Sequence, residues 1–196
     1  MNKLMFRMLL VTLFGVCGNF TLKAQTTNDQ LSYLYANSFE SIDSLEFRMQ
    51  FFNAYPSTFL EFRKTYNNPK SSLYSQKVDH FQLFSNLGVI DDTIFMNKLI
   101  DLSLGGFWDA DMVYMLQLLI AKKALEQPEL LGYLMQKRTP AQMRSYFYFF
   151  FDGIHVRYVT APKQLEVLKN PYPFTYNLMK SSLDNVISDR EFLKSR

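Results

Sequence analysis

Two short segments place polar side chains beside aromatic ones and are the first candidates for chemistry. Residues 105–111 contain the only tryptophan, Trp108, followed by Asp109 and Asp111. A glycine-containing loop that sets a tryptophan beside carboxylates is typical of carbohydrate- or peptide-binding sites. The same residue types are typical of a helix start, where carboxylates accept hydrogen bonds from free amides and a large side chain packs on the first turns. Because those rules alone account for the residues, the segment favours a helix start.

The second segment carries Asp152 and His155, three positions apart. A carboxylate that orients an imidazole is the usual arrangement for a general base. The nearby hydroxyls, Ser145 and Thr160, lie in no recognisable nucleophile motif. Since a catalytic pair needs a third, positioned group, a turn that ends a helix explains this segment more simply.

Other catalytic and metal-binding signatures are absent from the sequence. It contains no phosphate-binding glycine loop, no nucleophile elbow and no His-Glu-x-x-His motif. The two histidines, His80 and His155, are 75 positions apart, so no local spacing predicts a zinc site. His80 is expected at a helix flank against Phe84. The sequence therefore predicts no metal and no cofactor.

Three residues are better candidates for binding than for catalysis. Trp108, Arg157 and Tyr158 lie in stretches that are not expected to be helical, where binding residues concentrate. Tryptophan, tyrosine and arginine are also the residue types enriched among interface anchors. These three are the predicted binding residues, and a protein or peptide is the predicted partner.

The charge balance excludes a basic nucleic-acid-binding surface. The chain has 196 residues, with 21 Lys and Arg against 18 Asp and Glu. Three of the basic residues lie in the first 24 positions, which hold no acidic residue, so the other 172 residues carry 18 charges of each sign. A nucleic-acid-binding protein needs a sustained positive surface, so we expect no such partner.

The N-terminus resembles a secretory leader. Lys3 and Arg7 lie on the N-terminal side of an apolar run of about ten residues. This order is typical of a secretory signal, and the run is too short to span a membrane. Residues 1–24 are therefore predicted to be a signal peptide, with Ala24 last before cleavage, and the protein is predicted to be periplasmic or secreted. Lipidation of Cys17 is the less favoured alternative, because Val16 fits a lipidation motif poorly. Without Cys17 the mature chain has no cysteine, hence no disulfide.

Residues 25–196 are predicted to form one all-α domain of about eight to nine helices. The arrangement is either an irregular bundle or a short array of antiparallel helical hairpins, with an extended segment near 154–160. Apolar residues recur at helical spacing in two early segments, first at Ile42, Leu45, Met49 and Phe52, then at Tyr74, Val78 and Phe81. The apolar segments 112–125 and 141–151 are predicted to be the central helices, since both are apolar nearly all round.

The sequence thus favours an exported binding or interaction protein of the cell envelope, of which an inhibitor or immunity-type protein is one example. The alternative is an envelope hydrolase that uses Asp109, Asp111, Asp152 and His155. A pocket that gathers these four side chains would favour the hydrolase, whereas scattered caps would favour binding.

Overall fold

The computed structural model describes residues 27–40, 44–153 and 158–194. These residues form helices and no strand: α1 Thr27–Glu40, α2 Ser44–Ala54, α3 Phe59–Tyr66, α4 Lys77–Ser85, α5 Asp92–Ser103, α6 Met112–Glu126, α7 Pro128–Met135, α8 Pro140–Phe151 and α9 Pro173–Lys194, with 3-10 helices at Tyr74–Gln76 and Lys163–Lys169. The all-α prediction is confirmed. The expected number of eight to nine helices is slightly low, because the 3-10 segments also have to be counted. The leader, Cys17 and residues 154–157 lie outside the described residues.

Local capping signals fix several helix starts. The Thr139 hydroxyl accepts from the Gln142 amide while the Gln142 side chain accepts from the Thr139 amide, which is a reciprocal capping box at the start of α8. The Asp91 carboxylate caps α5 by accepting from the amides of Thr93 and Ile94. Helix α3 begins at Phe59, three residues after Pro56, because Thr58 provides its cap.

Aromatic side chains fill the core, and α8 supplies most of one side of it. Residues 146–151 are all aromatic and helical, and all but Tyr148 are buried. Leu116 of α6 is also fully buried. The prediction of a helix over 141–151 is confirmed, and its aromatic residues are mostly buried.

Helix α6 is less enclosed than its composition predicts. Tyr114, Met115 and Leu118 expose 41%, 39% and 39% of their surfaces, on one side of the helix. The buried side carries Val113, Leu116 and other apolar residues. Helix α6 therefore carries apolar residues on all its sides, although only one side is buried in the core.

The N-terminal helices differ from what the spacing of apolar residues predicts. The helix α1 was not predicted. In α2, Leu45 and Met49 of the predicted face are exposed, whereas Phe52 of that face and Phe51 beside it are buried, so only part of the predicted face points inward. Val78 is likewise exposed. Ile42 lies outside the described residues.

Two pairs of helices make the most extensive contacts, α1 with α2 and α8 with α9. The 3-10 helix Lys163–Lys169 packs against both α7 and α9. Among the helices that the structure describes, none has the length and apolarity needed to cross a bilayer.

Candidate functional site

The structure brings the two predicted polar segments together. The backbone amide of Trp108 donates to Oδ2 of Asp152 at 2.6 Å, and the amide of Gly105 donates to the Ser145 hydroxyl at 2.7 Å. Gly106 approaches α8 so closely that a Cβ there would lie 2.7 Å from the Phe149 ring. The segment Leu104–Asp111, called here the 104–111 loop, is thus packed against the C-terminal half of α8.

Asp152 is a buried, fully engaged carboxylate. Only 7% of its side chain is exposed, and it forms an ion pair with Arg190 of α9. Its two oxygens also accept from the amides of Trp108 and Gly153. This arrangement ties the 104–111 loop and α9 to the end of α8, which is a structural role for a residue predicted as a weak catalytic candidate.

Asp109 is held by α3. Its Oδ2 accepts from Arg63 at 3.3 Å and from the Asn67 amide group at 2.9 Å. The Arg63 guanidinium also lies over the Phe107 ring, 4.6 Å from its centroid. Asp109 therefore positions a cation beside an aromatic ring of the same loop, and it does not cap a helix.

Asp111 occupies the position before α6, but its side chain makes no capping hydrogen bond. It forms an ion pair with Lys77 at the start of α4 and accepts from the Tyr74 hydroxyl at 3.4 Å. Partial burial lowers the pKa of Lys77, but the hydrogen bonds to Asp111 and Tyr74 outweigh it and the net pKa is raised. Asp111 has a φ of 67°, a left-handed conformation that costs energy for a residue other than glycine. The predicted cap is therefore replaced by a long-range ion pair.

Aromatic side chains are displayed on this anchored loop. Phe107 is 46% exposed and packs edge-on against Phe59, with centroids 5.3 Å apart. Trp108 is half-buried. Tyr158 is half-buried against the end of α8, where it stacks on Phe150 and meets Phe151 edge-on, both at 5.8 Å.

His155 and Arg157 lie outside the described residues. The Asp152–His155 pair and the anchor role of Arg157 therefore stay predictions. Of the remaining candidates, Trp108, Asp109 and Asp111 share the 104–111 loop, and Asp152 contacts that loop directly.

The sequence did not identify the residues that hold the 104–111 loop and the end of α8 in place. Gln117, 2% exposed, donates to the carbonyl of Phe149 at 2.7 Å and to that of Asp152 at 3.0 Å. Its signal was visible, because it is the one strongly polar residue in an otherwise apolar stretch of α6. Arg63, Lys77 and Arg190 carried no comparable signal, since their partners are far away in the sequence.

Three of the open depressions on the described surface have volumes of about 580, 380 and 550 Å³. The first is lined by residues that include Phe95 and Lys123, the second by residues that include Tyr55 and Glu61, and the third by residues that include Met143 and Phe174. None of the three is lined by a predicted site residue. No cluster of three or more potential metal ligands occurs among the residues that the structure describes.

Comparison of the chain with protein-family models, with curated proteins and with solved structures finds no match.

Proposed function

We propose that this chain is an exported binding protein of the cell envelope that engages a protein or peptide through the 104–111 loop and the connection at 158–160, both of which pack against α8 or its C-terminal end. The observation that carries the proposal is the anchoring of the loop. Contacts of Asp109, Asp111 and the Trp108 amide hold it to α3, to α4 and to α8.

An anchored loop suits binding for a thermodynamic reason. Ordering a flexible loop on association costs free energy, and a loop that is already held in place avoids most of that cost. Phe107 and Trp108 offer aromatic surface on this loop, and large aromatic residues dominate the energetics of most interfaces.

The carboxylate environments support binding over hydrolysis. Asp109, Asp111 and Asp152 each form an ion pair with an arginine or lysine. A carboxylate that acts as a general base needs an oxygen free to accept a proton from the reacting group, whereas oxygens of all three carboxylates already accept hydrogen bonds from protein groups. The hydrolase with Asp152 and His155 remains the alternative function to be tested.

The arrangement of helices is part of the same proposal. The extensive contacts of the consecutive helices α1 and α2, and of α8 and α9 on either side of the 3-10 helix Lys163–Lys169, support a short array of helical hairpins. Such arrays present continuous surfaces for protein partners. An inhibitor or immunity-type protein is one function that would use such a surface.

The binding test compares aromatic residues of the 104–111 loop with exposed aromatic residues elsewhere on the surface. The mature chain, immobilised and incubated with envelope extract, should retain a partner whose affinity falls at least about thirtyfold on Trp108→Ala or Phe107→Ala. Tyr133→Ala and Phe174→Ala are the matched controls, since those rings are 47% and 56% exposed on α7 and α9. Equal retention by all four variants would show that the proposed surface is wrong.

A second measurement separates binding from hydrolysis. The double variant Asp152→Asn, His155→Ala is assayed for turnover and for partner retention, with circular dichroism to verify folding. Loss of a measured turnover while the partner is still bound would establish the hydrolase in place of the binding protein.

A further inference from the structure

His80 connects four helices through one buried ring. It lies on α4 with no exposed surface, and its Nδ1 is 3.2 Å from the Tyr66 hydroxyl of α3. The Tyr35 ring of α1 lies 4.8 Å from it, and the Phe51 ring of α2 meets it edge-on at 5.5 Å. The expected position at a helix flank is therefore wrong, because the ring is enclosed by α1, α2 and α3.

The surroundings of His80 provide a hydrogen-bond partner for one ring nitrogen, and none for the other. The Nε2 of His80 is buried and has no hydrogen-bond partner. An imidazolium carries a proton on both nitrogens, so protonation would place an unpaired N–H and a positive charge in the core.

The groups that face the ring do not compensate for that charge. From the other helices these are Tyr35, Phe51 and Tyr66, of which only the tyrosines titrate and neither is anionic near neutral pH. On its own helix, the Asp79 carboxylate favours the cation but makes no hydrogen bond to the ring. The nearest relief for a protonated His80 is therefore exposure to water.

The helix pair α1–α2 is the element whose movement would expose the ring. These two helices make their most extensive contacts with each other. Their polar links to the rest of the domain include peripheral hydrogen bonds from Asn28 to Ser72 at 3.0 Å and from Ser32 to Gln76 at 3.1 Å. The Lys98 ammonium of α5 also donates to the carbonyl of Phe52 in α2. Aromatic contacts, including those of His80, supply much of the remaining attachment.

We propose that His80 is an acid-sensitive contact: its neutral ring holds the α1–α2 pair against α3 and α4, and its protonation releases that pair while the rest of the domain stays folded. The proposal is independent of the binding function assigned to the 104–111 loop. It would make the attachment of the N-terminal helices depend on the pH of the compartment.

The direction and size of the effect follow from the protonation equilibria. Burial lowers the pKa of His80 from 6.5 to about 4, with Asp79 opposing the shift in part. The released state, with an ordinary histidine, binds more protons between those two values. The attachment is therefore at full strength above pH 6.5 and weakens as the pH falls toward 4. At pH 5 the released population should be about thirtyfold larger than at pH 7.5.

Hydrogen exchange followed by mass spectrometry tests the proposal on the whole mature chain. After correction for the intrinsic pH dependence of exchange, peptides from α1 and α2 should exchange about thirtyfold faster at pH 5 than at pH 7.5, while peptides from α8 and α9 should not change. An equal acceleration in all helices would indicate global acid unfolding and overturn the proposal.

The chain offers a matched pair of histidine variants. His155→Gln should keep the pH response of α1 and α2, and His80→Gln, which cannot be protonated, should abolish it. If His80→Gln does not fold, the His155→Gln chain has a single histidine, whose pKa can be measured by NMR. A value well below 6.5 is expected, and a value at or above 6.5 would overturn the proposal.

Discussion

The backbone amide of Trp108 donates a 2.6 Å hydrogen bond to Oδ2 of Asp152, although the two residues are 44 positions apart. The bond joins the loop before α6 to the end of α8, and the Arg190 ion pair adds α9 to the same point. One buried carboxylate therefore organises the predicted binding surface, even though it has no exposed face of its own with which to bind.

Asp152→Asn should destabilise the domain by about 2–4 kcal/mol, because it leaves Arg190 without its buried counter-charge. Urea unfolding followed by Trp108 fluorescence measures the change. Asp189→Asn is the control: that carboxylate accepts only an exposed bond from Tyr148, so its loss should cost less than about 1 kcal/mol. Equal costs for the two variants would contradict the role given to Asp152.

Combining Asp152→Asn with Arg190→Met should cost clearly less than the sum of the two single changes. Removing both charges leaves no unpaired ion in a site where the carboxylate is 7% and the arginine 23% exposed. A double-mutant cycle in urea measures the coupling, and strict additivity would show that the two side chains do not interact in solution.

Gln117→Leu should cost about 1–3 kcal/mol, since it leaves the carbonyls of Phe149 and Asp152 without this donor inside the core. Leu118→Gln, one position further on the exposed side of α6, should change stability by less than about 0.5 kcal/mol. Thermal unfolding of both variants checks the contrast, and the reverse order would mean that the two faces of α6 have been assigned wrongly.

Features with local causes were predictable from the sequence. The capping box at Thr139 and the start of α9 at Pro173 depend on residues within one turn, and both are present. The helical state of residues 146–151 followed from that cap, even though the aromatic composition alone favours a strand.

Features with distant causes were not predictable. Asp109 and Asp111 looked like helix caps, but their partners are Arg63 and Lys77, 46 and 34 positions away. In the same way, periodicity showed that α2 is helical but not which side faces inward, because Leu45 is exposed while Phe51 packs on His80 of α4. The periodicity of a single sequence indicates that a segment is helical. Which apolar side of that helix is buried depends on contacts with residues far away in the sequence, and the periodicity does not contain them.

Core truncations should be costly in a domain of ordinary stability. Phe147→Ala and Leu116→Ala remove fully buried side chains and should cost about 3–5 and 2–5 kcal/mol. Total unfolding free energies of about 5–15 kcal/mol make either loss a large fraction. Phe174→Ala, at a ring that is 56% exposed, should cost far less in the same denaturation experiment. Similar costs for Phe147 and Phe174 would contradict the burial assigned to α8.

Export is the last prediction, and it concerns the N-terminal residues before α1. The N-terminus carries the basic residues Lys3 and Arg7, followed by a short apolar run at 8–17. This pattern predicts that residues 1–24 are removed as a signal peptide. N-terminal sequencing of the protein from an envelope fraction should therefore begin at or near Gln25. A cytoplasmic protein that keeps its original terminus would contradict the prediction.

The same experiment distinguishes the two kinds of signal when Cys17→Ser is included. A secretory leader loses Cys17 on cleavage, so this variant should be processed and released as the unaltered chain is. A lipid-anchored protein would instead begin at a modified Cys17, and Cys17→Ser would block its processing and its membrane attachment. Because a single acyl chain gives only weak anchoring whereas multiple chains hold a protein on the membrane, detergent partitioning of the mature protein gives an independent readout. Partitioning into the aqueous phase, together with normal processing of Cys17→Ser, is the expected result.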